Sequence, residues 1–127
     1  MEQKIAIIGK GNVGSSLLQL LNDKKDEIEK MFDISYKVMA IFEYDGALIN
    51  EDGIDLEEVL KKEGNFRELS YWKKDIVAKE QISKLDIDIC IETTPTNPNT
   101  GEPALSHIIE ALCNKINVVT SNKAPFY

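Results

Sequence analysis

Three absences narrow what this chain of 127 residues can be. It has only two cysteines, Cys90 and Cys113, and their spacing fits neither a metal site nor a CxxC redox motif. It has no secretion signal and no apolar run near the roughly 20 residues that span a bilayer. We therefore expect a reduced, cytoplasmic protein that binds neither a metal nor a membrane.

Basic residues are also scarce, because 15 Lys and Arg stand against 22 Asp and Glu and give a formal net charge of -7. An acidic surface repels polyanions, so we expect no nucleic-acid partner. A small anionic ligand is still compatible with this charge. A helix N-terminus acts on such a ligand at contact distance, whereas distant charges are screened over about 8 Å at physiological salt.

The most informative stretch is the glycine motif at residues 9–14, GKGNVG, which follows the apolar run at residues 5–8. In this G-x-G-x-x-G pattern Gly9 permits a tight turn, Gly11 lets a pyrophosphate approach the backbone, and Gly14 lets helix and strand pack closely. The anion would lie on the free N–H groups at the start of the helix. A glycine turn that serves packing alone is the alternative.

Strand-like and helical patterns alternate along the chain. They predict strands at 36–42, 87–92 and 117–120 and a long helix over 13–32. A capping box at 55–58 predicts the start of a short helix, and a second short helix is predicted over 76–85. A crossover helix is predicted to start at Pro103. Residues 46–74 are interpreted as an insertion with little chemistry. The alternation predicts one nucleotide-binding domain over residues 1–127, with an α/β, Rossmann-like, doubly wound and mainly parallel sheet that carries helices on both faces.

Polar or glycine-rich loops follow four predicted strand ends, and such sheets bind ligands at the carboxyl ends of their strands. These loops are the glycine motif, Glu43, residues 93–95 and residues 121–123. Their convergence on one edge is stronger evidence for a dinucleotide site than any single motif. At the last of these loops Lys123 could donate to a substrate carbonyl or bind a carboxylate.

Glu43 is expected to accept hydrogen bonds from the ribose hydroxyls of adenosine and to repel a 2′-phosphate, which favours NAD over NADP. Asp45 could take this role instead, and a solvated acid at the strand end is the other alternative. Lys10 is the nearby cation that could weaken the preference.

Two further residue types are interpreted as structural. His107 lies within the predicted crossover helix with no acid or nucleophile at a recognisable spacing, so a structural histidine is expected. Cys90 is expected in the core of its strand and Cys113 as a small filler on the helix.

Three stretches resemble homoserine dehydrogenases: IIGKGNVG at 7–14, IETTPTNPNTGEPAL at 91–105 and VVTSNKAP at 118–125. The resemblance implies hydride transfer between NAD, with NADP possible, and the pair L-homoserine and L-aspartate 4-semialdehyde, in threonine and methionine biosynthesis. It implies a catalytic role for Lys123. It also implies cofactor contacts from Gly9, Gly11, Asn12, Val13, Gly14, Thr93, Thr94, Pro95 and Asn122.

The family continues beyond its N-K-x-P segment into a region that dimerises and binds substrate. We therefore expect this chain to be the nucleotide-binding part of such an enzyme, without turnover by itself. A small amino-acid substrate and a homodimer are expected only with the missing region. The alternative is a stand-alone NAD-binding module that regulates a partner without catalysis.

Overall fold

A computed structural model describes residues 1–95, 97 and 99–121, with the backbone alone at residues 12, 63 and 64. The strands are β1 (Glu2–Ile8), β2 (Ser35–Glu43), β3 (Gly46–Ile49), β4 (Trp72–Lys74), β5 (Ile89–Glu92) and β6 (Asn117–Thr120). The α-helices are α1 (Asn12–Phe32), α2 (Leu56–Lys62), α3 (Ala78–Gln81) and α4 (Ala104–Cys113). None of the helices in the described part of the chain is long and apolar enough to cross a membrane.

All the strands form one sheet in the order β4-β3-β2-β1-β5-β6. The four strands β2, β1, β5 and β6 run parallel, while β3 and β4 continue the sheet as antiparallel strands beyond β2. The chain leaves β1 toward β2 on one side and later returns to pair β5 on the other side. This reversal next to β1 is where a doubly wound sheet opens a crevice for ligands.

Helices cover both faces of the sheet, as the sequence predicts. Ile5 and Ile7 of β1 belong to a core shared with Leu18 of α1 and Val59 of α2. The intervening β1 residues, Ala6 and Ile8, belong to a second core formed with α3 and α4. Apolar side chains on both faces make β1 the buried centre of the fold, and this burial fixes the loop that follows it.

The largest departure from the predicted fold lies in residues 46–74, interpreted above as an insertion. This segment supplies β3 and β4, which escaped prediction because they contain glycine, alanine and two lysines, residue types that are depleted in strands. Its helix α2 was predicted, and the Asp55 carboxylate accepts the backbone N–H groups of Glu57 and Glu58 at 3.1 and 3.3 Å. The segment is therefore an edge of the sheet rather than an appendage.

Smaller corrections concern single elements. The predicted helix over 76–85 is α3 followed by a 3₁₀ turn at Ile82–Lys84, and the strand predicted at 87–92 begins at Ile89. Cys113 was expected to fill space on α4, but it is exposed. Cys90 lies in the core as predicted, and burial raises the pKa of its thiol to about 12.

Candidate cofactor site

The glycine loop joins β1 to α1 and has the geometry that its three glycines predict. Gly9 has a φ of 96°, and its N–H donates to the carbonyl oxygen of Phe42 at 2.8 Å. A Cβ on Gly14 would lie 2.3 Å from the carbonyl oxygen of Gly9, so only glycine fits there. A Cβ on Gly11 would meet no heavy atom of the described residues within 4 Å. Gly14 thus serves packing, while Gly11 leaves open space above the loop.

Helix α1 begins in this loop without a capping side chain. Gly11 is its N-cap, no side-chain hydrogen bond caps the helix, and its first turn contains no acidic residue. The first N–H groups of a helix have no partner within the helix, and they carry its positive end charge. The open space at Gly11 and these donors together fit a pyrophosphate.

A cavity of about 570 Å³ opens at the carboxyl ends of β1, β2 and β5. This volume falls in the range of roughly 300–1,000 Å³ that is typical of cofactor sites. Seven of the predicted site residues line it: Gly9, Gly11, Val13, Glu43, Thr93, Thr94 and Pro95. Gly14 packs beneath the loop, Asn12 is the first residue of α1, and the predicted Asn122 and Lys123 lie outside the described residues.

Glu43, rather than Asp45, is the acid that lines the cavity. Its carboxylate accepts the backbone N–H of Lys10, which ties the end of β2 to the glycine loop. Asp45 is instead paired with Arg67 through two hydrogen bonds of 2.7 and 2.9 Å. These bonds from Arg67 hold the pKa of the Asp45 carboxyl below its usual value. The geometry therefore favours Glu43 of the two alternatives that the sequence left open.

Arg67 was missed because it comes from the segment to which the sequence assigned little chemistry. Its guanidinium lies 4.6 Å from the ring centroid of Phe66 and 5.3 Å from that of Trp72. The Lys10 ammonium lies over the same Phe66 ring at 4.8 Å. Lys10 and Arg67 are thus both held on aromatic faces near the end of β2.

Thr93 connects the end of β5 to the glycine loop. Its N–H donates to the carbonyl oxygen of Ile8 at 2.9 Å, and its hydroxyl is 2.9 Å from the carbonyl oxygen of Gly9 and 3.0 Å from that of Ile8. The loop after β5 is therefore held directly against the loop after β1. This contact brings residues 93–95 to the cavity, as the order of the strands predicts.

A buried pair of polar side chains lies behind residues 93–95. The Glu92 side chain is fully buried at the end of β5, and its Oε2 is 2.5 Å from Nδ1 of His107 on α4. His107 also lines the cavity. The sequence showed no acid at a recognisable spacing from this histidine, because Glu92 and His107 are 15 positions apart and meet only when α4 packs on β5. An acid at the last position of a buried strand was the one signal in the sequence.

The doubly wound sheet, the glycine loop and the cavity at the strand ends define the class: this is a Rossmann-like dinucleotide-binding fold. The family model described as "Glutamate/Leucine/Phenylalanine/Valine dehydrogenase" matches residues 1–119, and the chain belongs to this family. Its particular likeness is to homoserine dehydrogenases, as the three sequence stretches predict. It is 40% identical over 124 residues to the homoserine dehydrogenase of Methanocaldococcus jannaschii, covering 95% of this chain and 37% of that relative.

Two further relatives bear on the cofactor. An NAD(+)-dependent homoserine dehydrogenase of Pseudomonas canavaninivorans is 30% identical over 128 residues, covering 98% of this chain and 36% of the relative. A solved hyperthermophilic archaeal homoserine dehydrogenase in complex with NADPH has a TM-score of 0.79 at 25% identity, covering 99% of this chain and 37% of that chain. The chain thus spans little more than a third of the length of these relatives. The expected nicotinamide dinucleotide is the cofactor class for which both are named.

Proposed function

We propose that this chain is the nucleotide-binding part of a homoserine dehydrogenase, which interconverts L-homoserine and L-aspartate 4-semialdehyde with NAD. The observation that carries the proposal is the meeting of the glycine loop, Glu43 and residues 93–95 in one cavity at the ends of three strands. The likeness to homoserine dehydrogenases supplies the substrate pair. The small amino-acid substrate, the homodimer and the cytoplasmic setting belong to the same proposal.

The dinucleotide lies across the end of β1 in this proposal. The backbone at Gly11 and the uncapped start of α1 would hold its pyrophosphate, because they supply N–H donors and positive charge. Residues 93–95 lie on the far side of β1 from Glu43 and line the half of the site that receives nicotinamide. When bound, the nicotinamide ring exchanges a hydride with the substrate carbon.

Glu43 sets the choice of nucleotide in this proposal. Its carboxylate accepts hydrogen bonds from the adenosine ribose hydroxyls, and its charge repels the 2′-phosphate of NADP. Lys10, the cation that could weaken this preference, has its ammonium over the Phe66 ring, 4.8 Å from the centroid. NAD is therefore the preferred cofactor and NADP the weaker one.

The residues proposed at the reacting end are Asn122, near the nicotinamide, and Lys123, which acts on the substrate. An ammonium group donates strongly to a substrate oxygen, and such groups contribute roughly 10²- to 10⁴-fold to proton-transfer steps. Lys123 stands directly after Asn122 in the loop that follows β6. The parallel pairing of β6 with β5, whose carboxyl end opens onto the cavity, supports this proposal.

Calorimetric titration of the chain with NADH and NADPH tests the binding half of the proposal. Saturable binding of NADH, with weaker binding of NADPH, is expected. If neither nucleotide binds, the assignment of the cavity is wrong.

The catalytic half is tested on the polypeptide that the whole reading frame encodes, by homoserine-dependent formation of NADH. Lys123→Ala should lower kcat by roughly 10²-fold or more, whereas Lys84→Ala, a change of an exposed lysine, should leave it unaltered. If the encoded polypeptide binds NADH but does not oxidise homoserine, the result would favour the alternative, a stand-alone NAD-binding module that regulates a partner.

A further inference from the structure

The Glu92–His107 pair is a polar cluster that the proposed function has not used. Glu92 has no exposed surface and His107 is 8% exposed. A buried carboxylate costs several kcal/mol unless it is paired and hydrogen-bonded, so a fold retains one only where its contacts compensate. His107 lines the cavity, and Glu92 is buried directly behind it.

Both oxygens of the Glu92 carboxylate are engaged. Oε1 accepts the backbone N–H of Thr94 at 2.6 Å and also the Thr94 hydroxyl, while Oε2 accepts from Nδ1 of His107. One carboxylate thus fixes the backbone and the side chain of Thr94, a residue that lines the cavity. The imidazole in turn holds the carboxylate in place.

The second ring nitrogen of His107 is available to a ligand. Nδ1 is engaged by Glu92, and Nε2 makes no hydrogen bond to any of the described residues. His107 nevertheless lines the cavity, together with Thr94, Pro95 and Pro103. A nearly buried imidazole with one engaged and one free nitrogen is a directional group whose free nitrogen can meet a polar atom of a ligand.

The order of the strands indicates which part of a dinucleotide this group would meet. Glu43, the proposed ribose acceptor, follows β2 on one side of β1, whereas Glu92 ends β5 on the other side. A dinucleotide with its pyrophosphate at Gly11 and its adenosine at Glu43 extends its other half over β5 and α4. This half carries nicotinamide.

We propose that the Glu92–His107 pair positions the nicotinamide half of the bound dinucleotide. Glu92 is a positioning residue that holds Thr94 in the cavity wall, and His107 contacts the nicotinamide half through Nε2. The inference rests on the proposed binding of a nicotinamide dinucleotide to this cavity. It goes further because it assigns to His107, on α4, a contact that distinguishes a nicotinamide dinucleotide from a nucleotide without nicotinamide.

The chain offers a direct test because His107 is its single histidine. Its ring C–H signals can therefore be identified in an NMR spectrum of the unmodified protein. ADP, which has adenosine and pyrophosphate but no nicotinamide, should shift backbone amide signals of the glycine loop and leave the His107 ring signals in place. NAD⁺ should shift both sets.

The outcomes separate the inference from the function on which it rests. If neither nucleotide shifts any signal, the proposed function fails. If both shift the glycine loop but NAD⁺ moves the His107 ring signals no more than ADP does, the positioning role fails while nucleotide binding stands. A shift specific to NAD⁺ supports the inference.

Two substitutions of His107 distinguish the roles of its two ring nitrogens. His107→Asn places an amide donor near the position of Nδ1 and removes Nε2, whereas His107→Gln places an amide near the position of Nε2. His107→Asn should weaken NADH roughly two- to tenfold, the effect of one lost hydrogen bond, with no change for ADP. His107→Gln should retain more NADH affinity than His107→Asn does.

Glu92→Gln should likewise weaken NADH and not ADP, because the amide changes the hydrogen bond that orients the imidazole. Glu110→Gln makes the same chemical change on α4 at a carboxylate that contacts Asn114, and it should alter neither affinity. Equal weakening of NADH and ADP by the substitutions at Glu92 and His107 would show a merely structural role and overturn the proposal. Unchanged NADH affinity in His107→Asn would overturn it as well.

Discussion

The two walls of the cavity are built by different means. The glycine wall, formed by residues 9–14 and Glu43, depends on backbone conformation: a positive φ at Gly9, a close approach at Gly14 and the uncapped start of α1. The β5 wall, formed by residues 93–95 and His107 with the buried Glu92 behind them, depends on side-chain hydrogen bonds. The first wall offers generic donors to an anion, whereas the second offers directional groups.

Because of this difference, the two walls differ in how specifically they indicate a ligand. Backbone N–H groups at a helix start bind phosphate wherever the chain turns in this way, so the glycine wall indicates a dinucleotide and no substrate. Side chains differ between proteins of one fold, so Thr94 and His107 can select among ligands. We therefore expect substitutions in the glycine wall to affect all nucleotides alike, except at Glu43.

The largest effect is expected at Gly14. Gly14→Ala would place Cβ 2.3 Å from the backbone carbonyl oxygen of Gly9, which cannot move away as a flexible side chain could. Alanine gains about 1 kcal/mol of helix propensity over glycine, but displacing the loop should outweigh it. We expect a net loss of about 1–3 kcal/mol in unfolding free energy, typical of overpacking, together with loss of NADH and ADP binding. Denaturant unfolding and calorimetry measure the two effects.

Gly11→Ala is the matched control for that substitution. Its Cβ would meet none of the described heavy atoms within 4 Å, so stability should fall by less than about 1 kcal/mol, through a poorer N-cap. Binding of both nucleotides should nevertheless be lost, because the methyl group occupies the proposed position of the pyrophosphate. If Gly11→Ala binds both nucleotides as well as the unmodified chain does, the glycine loop serves packing only.

An intermediate effect is expected at Glu43, where the glycine wall becomes selective. Glu43→Gln retains an oxygen that can accept the N–H of Lys10 but removes the charge, so the loop should keep its position. Hydrogen bonds to a charged group contribute about 1.5–3 kcal/mol, and their loss should weaken NAD roughly tenfold and narrow its advantage over NADP. Glu43→Ala should narrow the advantage in the same direction.

Asp45 provides the control for this prediction, because its carboxylate is paired with Arg67 and does not line the cavity. Asp45→Asn should leave the ratio of NAD to NADP affinity unchanged. Tighter binding of NADP than of NAD by the unmodified chain would contradict the role given to Glu43.

The sequence predicted the parts of the molecule that depend on local chemistry. The turn at Gly9, the capping aspartate Asp55 and the alternation of strands and helices all leave a short-range pattern. The Glu92–His107 pair leaves none, because it forms only when α4 packs on β5. Arg67 was missed for the same reason, since its contact with Asp45 requires β3 and β4 to extend the sheet. β3 and β4 gave no strand signal because they contain glycine, alanine and lysine, whereas β5 and β6 are rich in isoleucine and valine.

The smallest effect is expected at Thr93, which joins the two walls. Thr93→Val keeps the shape of the side chain and removes the hydroxyl that lies 2.9 Å from the carbonyl oxygen of Gly9. The loss of one hydrogen bond should cost about 0.5–1.5 kcal/mol of unfolding free energy. Thr93→Ser keeps the hydroxyl and should lose less. If the two walls are held independently, Thr93→Val should also weaken NADH more than it weakens ADP, because the glycine wall keeps its own anchors, the N–H of Gly9 and the carboxylate of Glu43. Equal weakening of NADH and ADP would mean that Thr93 supports the glycine loop itself, and the two walls would then have to be treated as a single structural unit.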